Sequence, residues 1–265
     1  METISIDKIN QEASISNTLD YLFSVLNQTE GLADNEVVWE AREDVQLSLA
    51  GALLLAYSQI TSKKIVAPWL HSEFGQFTFD EQEIFHANQI HCFEHNLRNN
   101  PVYDTHLNTV VSYLFDELIC NIQQHAMCHN CILYAGVNSE LDSIDICISD
   151  NGISLYGSYV KSGRYMGMLG NDSVSALFLA KDGFSTKNRP DAENRGYGIS
   201  SNVKMVVNGL HGTLAIISGN ALYINTGSKQ LFINLPKQIE WQGTTIIVRI
   251  PNSLPSSFNL YDYIS

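Results

Sequence analysis

Two patterns predict an α+β protein: a two-layer α/β sandwich with helices on one face of a mixed, mostly antiparallel sheet, plus a mostly helical N-terminal region. The first is a helix-period apolar stripe, Leu107, Val111, Leu114, Leu118 and Ile122, in a segment running from His106 to about Met127. The second is a series of short β-branched runs that follows it. Helices first and strands afterwards suit helices packed on one sheet face.

Taken in order, Thr18 to Asn27 and Val45 to Ile60 are apolar at helical spacing, and Pro68 marks a break after them. Phe74, Phe77 and Phe79 alternate as in a short strand. After the long helix come strands at Cys131 to Val137 and Ile144 to Ser149. Residues 153 to 195 are rich in Gly, Ser, Asn and Lys, with one short helical patch at Asp172 to Ala180. A helix at Ile199 to Asn208 leads into four strands, Gly212 to Ile217, Ala221 to Asn225, Gln230 to Asn234 and Thr244 to Ile250. The chain therefore divides into an N-terminal region, 1–104, to which no motif assigns a role, a core at 105–252, and a C-terminal tail at 253–265.

The 265 residues, 45% apolar and 10% aromatic, describe a folded chain with a sizeable core. A formal charge of −13 disfavours a broad nucleic-acid or anionic-membrane surface, both of which need concentrated Lys and Arg. A local anion site remains open, because backbone amides or a metal can supply positive potential. The run LSLAGALLLAYSQI, Leu47 to Ile60, is too short to span a bilayer. METISIDKINQEASIS lacks a basic segment followed by an apolar core, and the five cysteines form no secreted-type framework. Both predict a cytoplasmic protein with reduced thiols.

The long helix carries Glu117, Asn121 and His125 at four-residue intervals. Four residues advance a helix by about 400°, so a carboxylate, an amide and an imidazole climb one side of it, beside the apolar stripe. Three stretches follow in a fixed order. ISDNGIS places Asp150 and Gly152 at the end of an apolar strand, ENRGYGISSNV places Gly196 and Gly198 at the start of a helix, and WQGTTIIVRIP places Gly243 and Thr244 before the last strand. Singly each is an ordinary turn or loop.

Together, over roughly residues 105 to 252, these motifs resemble the GHKL superfamily of ATP-binding domains, the Bergerat or histidine-kinase-like ATPase fold. Its members include gyrase B subunits, heat-shock chaperones, sensor histidine kinases, MutL proteins and anti-sigma kinases. Glu117 and Asn121 match the family's N-box, which implies that Asn121 coordinates Mg²⁺ bridging the phosphates and that Glu117 is the base activating water. An amide oxygen suits a hard cation without adding charge beside a triphosphate, and a base one turn away can hold water in line. His125 extends that face toward the phosphates.

Asp150 matches the first glycine box, which implies that its carboxylate accepts from the exocyclic amine of adenine and that ATP is preferred over GTP. Gly152 lets the backbone pass close to the purine, while Ser154 stands where a second glycine is usual. Gly196 and Gly198 match the second glycine box at the positive end of a helix. GFSTK, Gly183 to Lys187, resembles the lid element and makes Thr186, Lys187, Arg189 and Arg195 candidates at the phosphates. Thr244, after Gly243, matches the last box at the adenine end.

The resemblance implies ATP and Mg²⁺ as ligands and slow ATP hydrolysis coupled to a protein partner or to self-association as a homodimer. Two alternatives stay open: a Ser/Thr protein kinase resembling anti-sigma kinases, and a non-catalytic interaction scaffold. EHNLRNNP, with His95, looks like a phosphoacceptor box but lies too close to Asn121 for the intervening kinase elements. His86, His91, Cys92 and His95 lack clear metal-ligand spacing, Cys128 and Cys131 have no second pair, and no P-loop is present.

Overall fold

In the structure, a computed structural model, the described residues are 2–6, 14–28, 37–41, 49–60, 65–66, 75–78, 97–186, 198–236, 239 and 241–264. A small parallel sheet joins β1 (Glu2–Ile6), β2 (Val37–Ala41) and β3 (Ile65–Val66). The main sheet has seven strands in the order β4-β5-β6-β10-β7-β8-β9. Its strands are β4 (Gly75–Thr78), β5 (Asn130–Asn138), β6 (Ser143–Asp150), β7 (Thr213–Gly219), β8 (Ala221–Asn225), β9 (Gln230–Asn234) and β10 (Trp241–Pro251). Every pairing in it is antiparallel. The expected mixed sheet is thus corrected: parallel pairing is confined to the separate small sheet.

Side chains alternate across the main sheet with period two. Ile144, Ile146 and Ile148 of β6 share a front core with Ile246, Val248 and Ile250 of β10 and with Leu214 and Ile216 of β7. The intervening Cys147, Ile247, Ala215 and Ile217 belong to a second, back core. The front is covered by α3 (Asn108–Asn121), which continues as a π-wound turn over Ile122–Ala126, and by α6 (Ile199–Val203), which continues π-wound over Lys204–Gly209. Between them in sequence lie α4 (Ser154–Ser162) and α5 (Ser173–Lys181). A last short helix, α7, spans Tyr261–Ile264.

The back is covered by α1 (Ile15–Gln28) and α2 (Leu49–Ile60). Leu49, Ala50, Ala52, Leu53, Leu54, Ala56 and Tyr57 of α2 are all buried, as expected of a helix held between a sheet and another helix. Tyr57 tilts against Trp241, with ring centroids 5.6 Å apart. The Trp241 indole donates to Thr245 Oγ1 at 2.9 Å, and that hydroxyl shares a 2.6 Å hydrogen bond with Ser149. These three polar groups thus satisfy one another inside the back core.

Helices lie on both faces of the sheet, which adds a back layer to the expected α/β sandwich. The physical reason is visible in the strands: β6 is buried at every position, and Cys147, Ile247, Ala215 and Ile217 give the sheet an apolar back surface. The described residues of the N-terminal region hold the strands β1 to β4 as well as α1 and α2. The core also runs across residue 104, because β4 pairs with β5 and α2 packs behind the sheet. Leu254, Phe258, Leu260 and Tyr263 of the tail pack on the front core. Asn252 ties the tail down, donating to the Val102 carbonyl at 2.6 Å and accepting from the Asp104 amide at 3.0 Å.

Candidate functional site

Three adjacent strands end at the same place on the front face. Alternation brings Asp150 to the end of β6, Thr244 to the start of β10, and Ser218 near the end of β7. Thr244 and Ser218 are cross-strand partners whose hydroxyls lie 2.9 Å apart. Ser218 also accepts from the Leu155 amide at 2.9 Å, anchoring the start of α4. Ser218 was not among the sequence-predicted residues, although the period-two count that points Leu214 and Ile216 inward also points Ser218 inward.

Asp150 is buried, with 4% of its surface exposed, and its Oδ1 accepts from the Gly152 amide at 2.8 Å. Burial raises its carboxyl from 3.8 to about 7, opposed by backbone amide hydrogen bonds from Gly152 and Thr244. Two glycines press against it. A Cβ on Gly152 would lie 2.0 Å from the Ala126 carbonyl oxygen and 2.9 Å from Asp150 Oδ1. Gly243, at φ +79°, would place a Cβ 2.0 Å from the Asp150 carbonyl oxygen. Neither position accepts a side chain without moving the carboxylate.

Where the family pattern has another glycine, Ser154 adopts φ +61°, the left-handed conformation that glycine would take freely. The departure in sequence therefore leaves the glycine-like backbone in place. Asn151 is fixed beside it, its side-chain oxygen accepting from the amides of His129 and Asn130 at 3.1 and 3.0 Å.

A cleft opens above these strand ends. Asn121, His125, Asp150, Ser154, Thr186, Gly198 and Thr244 all line it, together with apolar Leu118, Ile122, Leu155 and Ile246. One carboxylate and a few polar groups among apolar walls is the usual make-up of a small-molecule site. Gly198 approaches from the start of α6, where an added Cβ would sit 3.5 Å from Asn121 Oδ1. The Asn121 Nδ2 is buried with no hydrogen-bond partner among the described residues, a donor that a bound group could satisfy.

Two of the polar residues are joined across the cleft. Thr186 Oγ1 lies 2.9 Å from His125 Nδ1 and 3.0 Å from Ser158 Oγ. Ser158 and its neighbour Tyr159, both lining the cleft, lie on α4 in a stretch expected to be irregular. The i, i+4 pair Leu155 and Tyr159 is the signal that could have found that helix.

Glu117, half-buried one turn before Asn121, is not part of the cleft lining. Gly152 lies behind Asp150 rather than on the cleft surface. Lys187, Arg189, Arg195 and Gly196 lie outside the described residues, as do His86, His91, Cys92 and His95. Cys120, Cys128, Cys131 and Cys147 are free thiols. Among the described residues no helix is long and apolar enough to cross a membrane, and no cluster of three or more His, Cys, Asp or Glu is placed to hold a metal. No family model matches the chain, and no curated protein matches it.

Proposed function

We propose that the cleft binds ATP with Mg²⁺ in the manner of the GHKL domains whose motifs the sequence resembles, and that the protein hydrolyses it slowly, coupling nucleotide state to a protein partner or to a second copy. The observation that carries this reading is Asp150, an acceptor held in an apolar floor at the cost of a raised pKa. Its position between two glycines on the floor of the cleft suits an exocyclic amine donating to it. At the other end, the unpartnered Asn121 amide and the backbone of Gly198 border the space where phosphates would lie.

Mg²⁺ fits this donor set. It prefers oxygen ligands drawn mostly from substrate phosphates and water, and the Asn121 amide supplies one neutral oxygen without a cluster of protein carboxylates. Bound there, the ion would supply charge neutralisation at the phosphates. Glu117, one turn before Asn121 and outside the cleft lining itself, would accept a proton from water. His125, fixed by Thr186, would donate toward phosphate oxygens.

A thermal-shift titration of the full chain tests this reading. ATP with Mg²⁺ at 100 times its dissociation constant should stabilise the fold by about 2.7 kcal/mol. Glu117→Gln should keep that shift while losing at least about 100-fold in phosphate release. Unshifted melting with ATP would remove the nucleotide, and undiminished turnover in the variant would remove Glu117 as the base. Phosphorylation of a co-purifying protein in place of free phosphate release would favour the kinase alternative.

A further inference from the structure

β9 ends one side of the main sheet, and among the described residues no strand pairs with its outer edge. The bonds beyond its two ends set which residues face outward. The Thr226 amide donates to the Lys229 carbonyl at 3.0 Å, and the Leu235 amide donates to the Asn220 carbonyl at 2.8 Å. Counted by twos along the register, Leu231 and Ile233 spend their backbone groups on β8, so Gln230, Phe232 and Asn234 aim theirs away from the sheet. Edge strands are ordinarily blunted by charge, proline or a bulge; QLFIN has no charge or proline and pairs with β8 in unbroken register. Both of its faces carry apolar surface. Leu231 and Ile233 are 46% and 40% exposed on the back, while on the front Phe232 stacks on Phe178 of α5, itself 46% exposed, with centroids 3.7 Å apart.

The order of side chains in β9 points to what covers this edge. In an antiparallel two-fold pairing centred on Phe232, that ring opposes the partner's Phe232, Leu231 opposes the partner's Ile233, and Gln230 opposes the partner's Asn234. Each side chain meets its own kind: aromatic, aliphatic and amide. The Gln230 Nε2 donates to the Tyr223 hydroxyl at 2.8 Å, which holds an amide whose oxygen can accept from the partner's Asn234. Charge favours the same arrangement. Two chains of formal charge −13 repel, but neither β9 nor α5 contains an acidic residue. Lys229 precedes β9, and Asp172, which caps α5, lies at the other end of the strand, where Ser173 accepts from the Asn220 amide. Antiparallel pairing brings each lysine to the partner's acidic end, whereas parallel pairing sets like ends together.

We propose that β9 is the self-association surface of this protein: two copies pair their β9 strands antiparallel about Phe232 and join two seven-stranded sheets into one. This gives the surface for the second copy invoked above and does not rest on what the cleft binds. Five residues a side fall short of the about 20–30 of a standard interface, so the dimer is a reversible one.

Sedimentation of the full chain without nucleotide, across a micromolar concentration series, tests it together with amide exchange at Gln230, Phe232 and Asn234. Wild type is expected to pass from monomer to dimer as concentration rises, with those three amides exchanging at least about tenfold more slowly in the dimer. Leu231→Lys/Ile233→Lys sets lysines against lysines and should dimerise at least about tenfold more weakly. Leu231→Lys/Ile233→Glu sets lysine against glutamate in this antiparallel register and should regain a similar factor. Monomeric wild type throughout the series, with the three amides either free or protected by another part of the same chain, would overturn the proposal. So would a first variant with a native circular-dichroism spectrum that dimerises as well as wild type. Dimerisation by a chain that binds no ATP would sink the nucleotide reading and leave this interface standing; ATP binding by a chain that stays monomeric would do the reverse.

Discussion

Asp150 concentrates the chemistry at the residue scale. A carboxyl raised to about 7 from 3.8 prefers its neutral form in the folded state, so its stabilising contribution is complete below pH 3.8 and is lost as pH rises through 7. At about 1.4 kcal/mol per pH unit that gap amounts to about 4 kcal/mol. Asp150→Asn keeps the shape and cannot ionise. Its stability should therefore gain on wild type steadily between pH 4 and pH 8, by up to about 4 kcal/mol in denaturant melts. Parallel profiles for the two proteins would show that the carboxyl does not resist ionisation. Asp150 was marked in the sequence only by its place in the ordered set of motifs, because Asp-Asn-Gly alone is an ordinary turn. The hydroxyl of Ser218 was not marked, since a serine inside an apolar run reads as packing until its cross-strand partner is known.

At the scale of elements, α3 was legible because its stripe is unambiguous: Leu107, Val111, Leu114 and Leu118 are each 1% exposed or less. What periodicity could not show is that its last turn winds as a π-helix, a feature often found at functional sites, or that α6 does the same. Asn121 is the last α-helical residue before that change, and His125 lies within it. Besides β1, β2 and β3, the element missed at the site is α4, hidden by the Gly and Ser content that made its segment read as a loop. The second layer of helices was hidden differently: α2 was found, but nothing local says which surface it covers. Leu53, fully buried at the centre of the back core, tests that packing. Leu53→Ala should cost about 2–5 kcal/mol in urea unfolding. A loss under 1 kcal/mol, about the scale of an exposed site, would contradict the burial.

For the molecule as a whole, the sheet joins the N-terminal region to the candidate ATP-binding core. β6, β10 and β7 present apolar residues to the helices around the cleft, and Cys147, Ile247, Ala215 and Ile217 of the same strands pack toward α1 and α2. The sequence carried this only in part: TTIIVR places Ile246, Ile247 and Val248 on both faces of β10, whereas IDICIS alternates and marks one apolar face of β6. A fragment of residues 105–265 would bare Ile132, Cys147, Ala215, Ile217 and Ile247 to water. It is expected to be insoluble or to lack a cooperative melt, whereas the full chain melts in one transition. A soluble, cooperatively folding fragment would show that the back layer is an appendage rather than part of the core.

The most direct measurement is a calorimetric titration of ATP and GTP, each with Mg²⁺, into wild type and Asp150→Ala. The account expects ATP to bind wild type, with GTP at least about tenfold weaker, because its carbonyl would face the Asp150 carboxylate. ATP affinity should fall by a similar factor in the variant. Equal binding of the two nucleotides, or ATP binding that survives removal of the carboxylate, would contradict it.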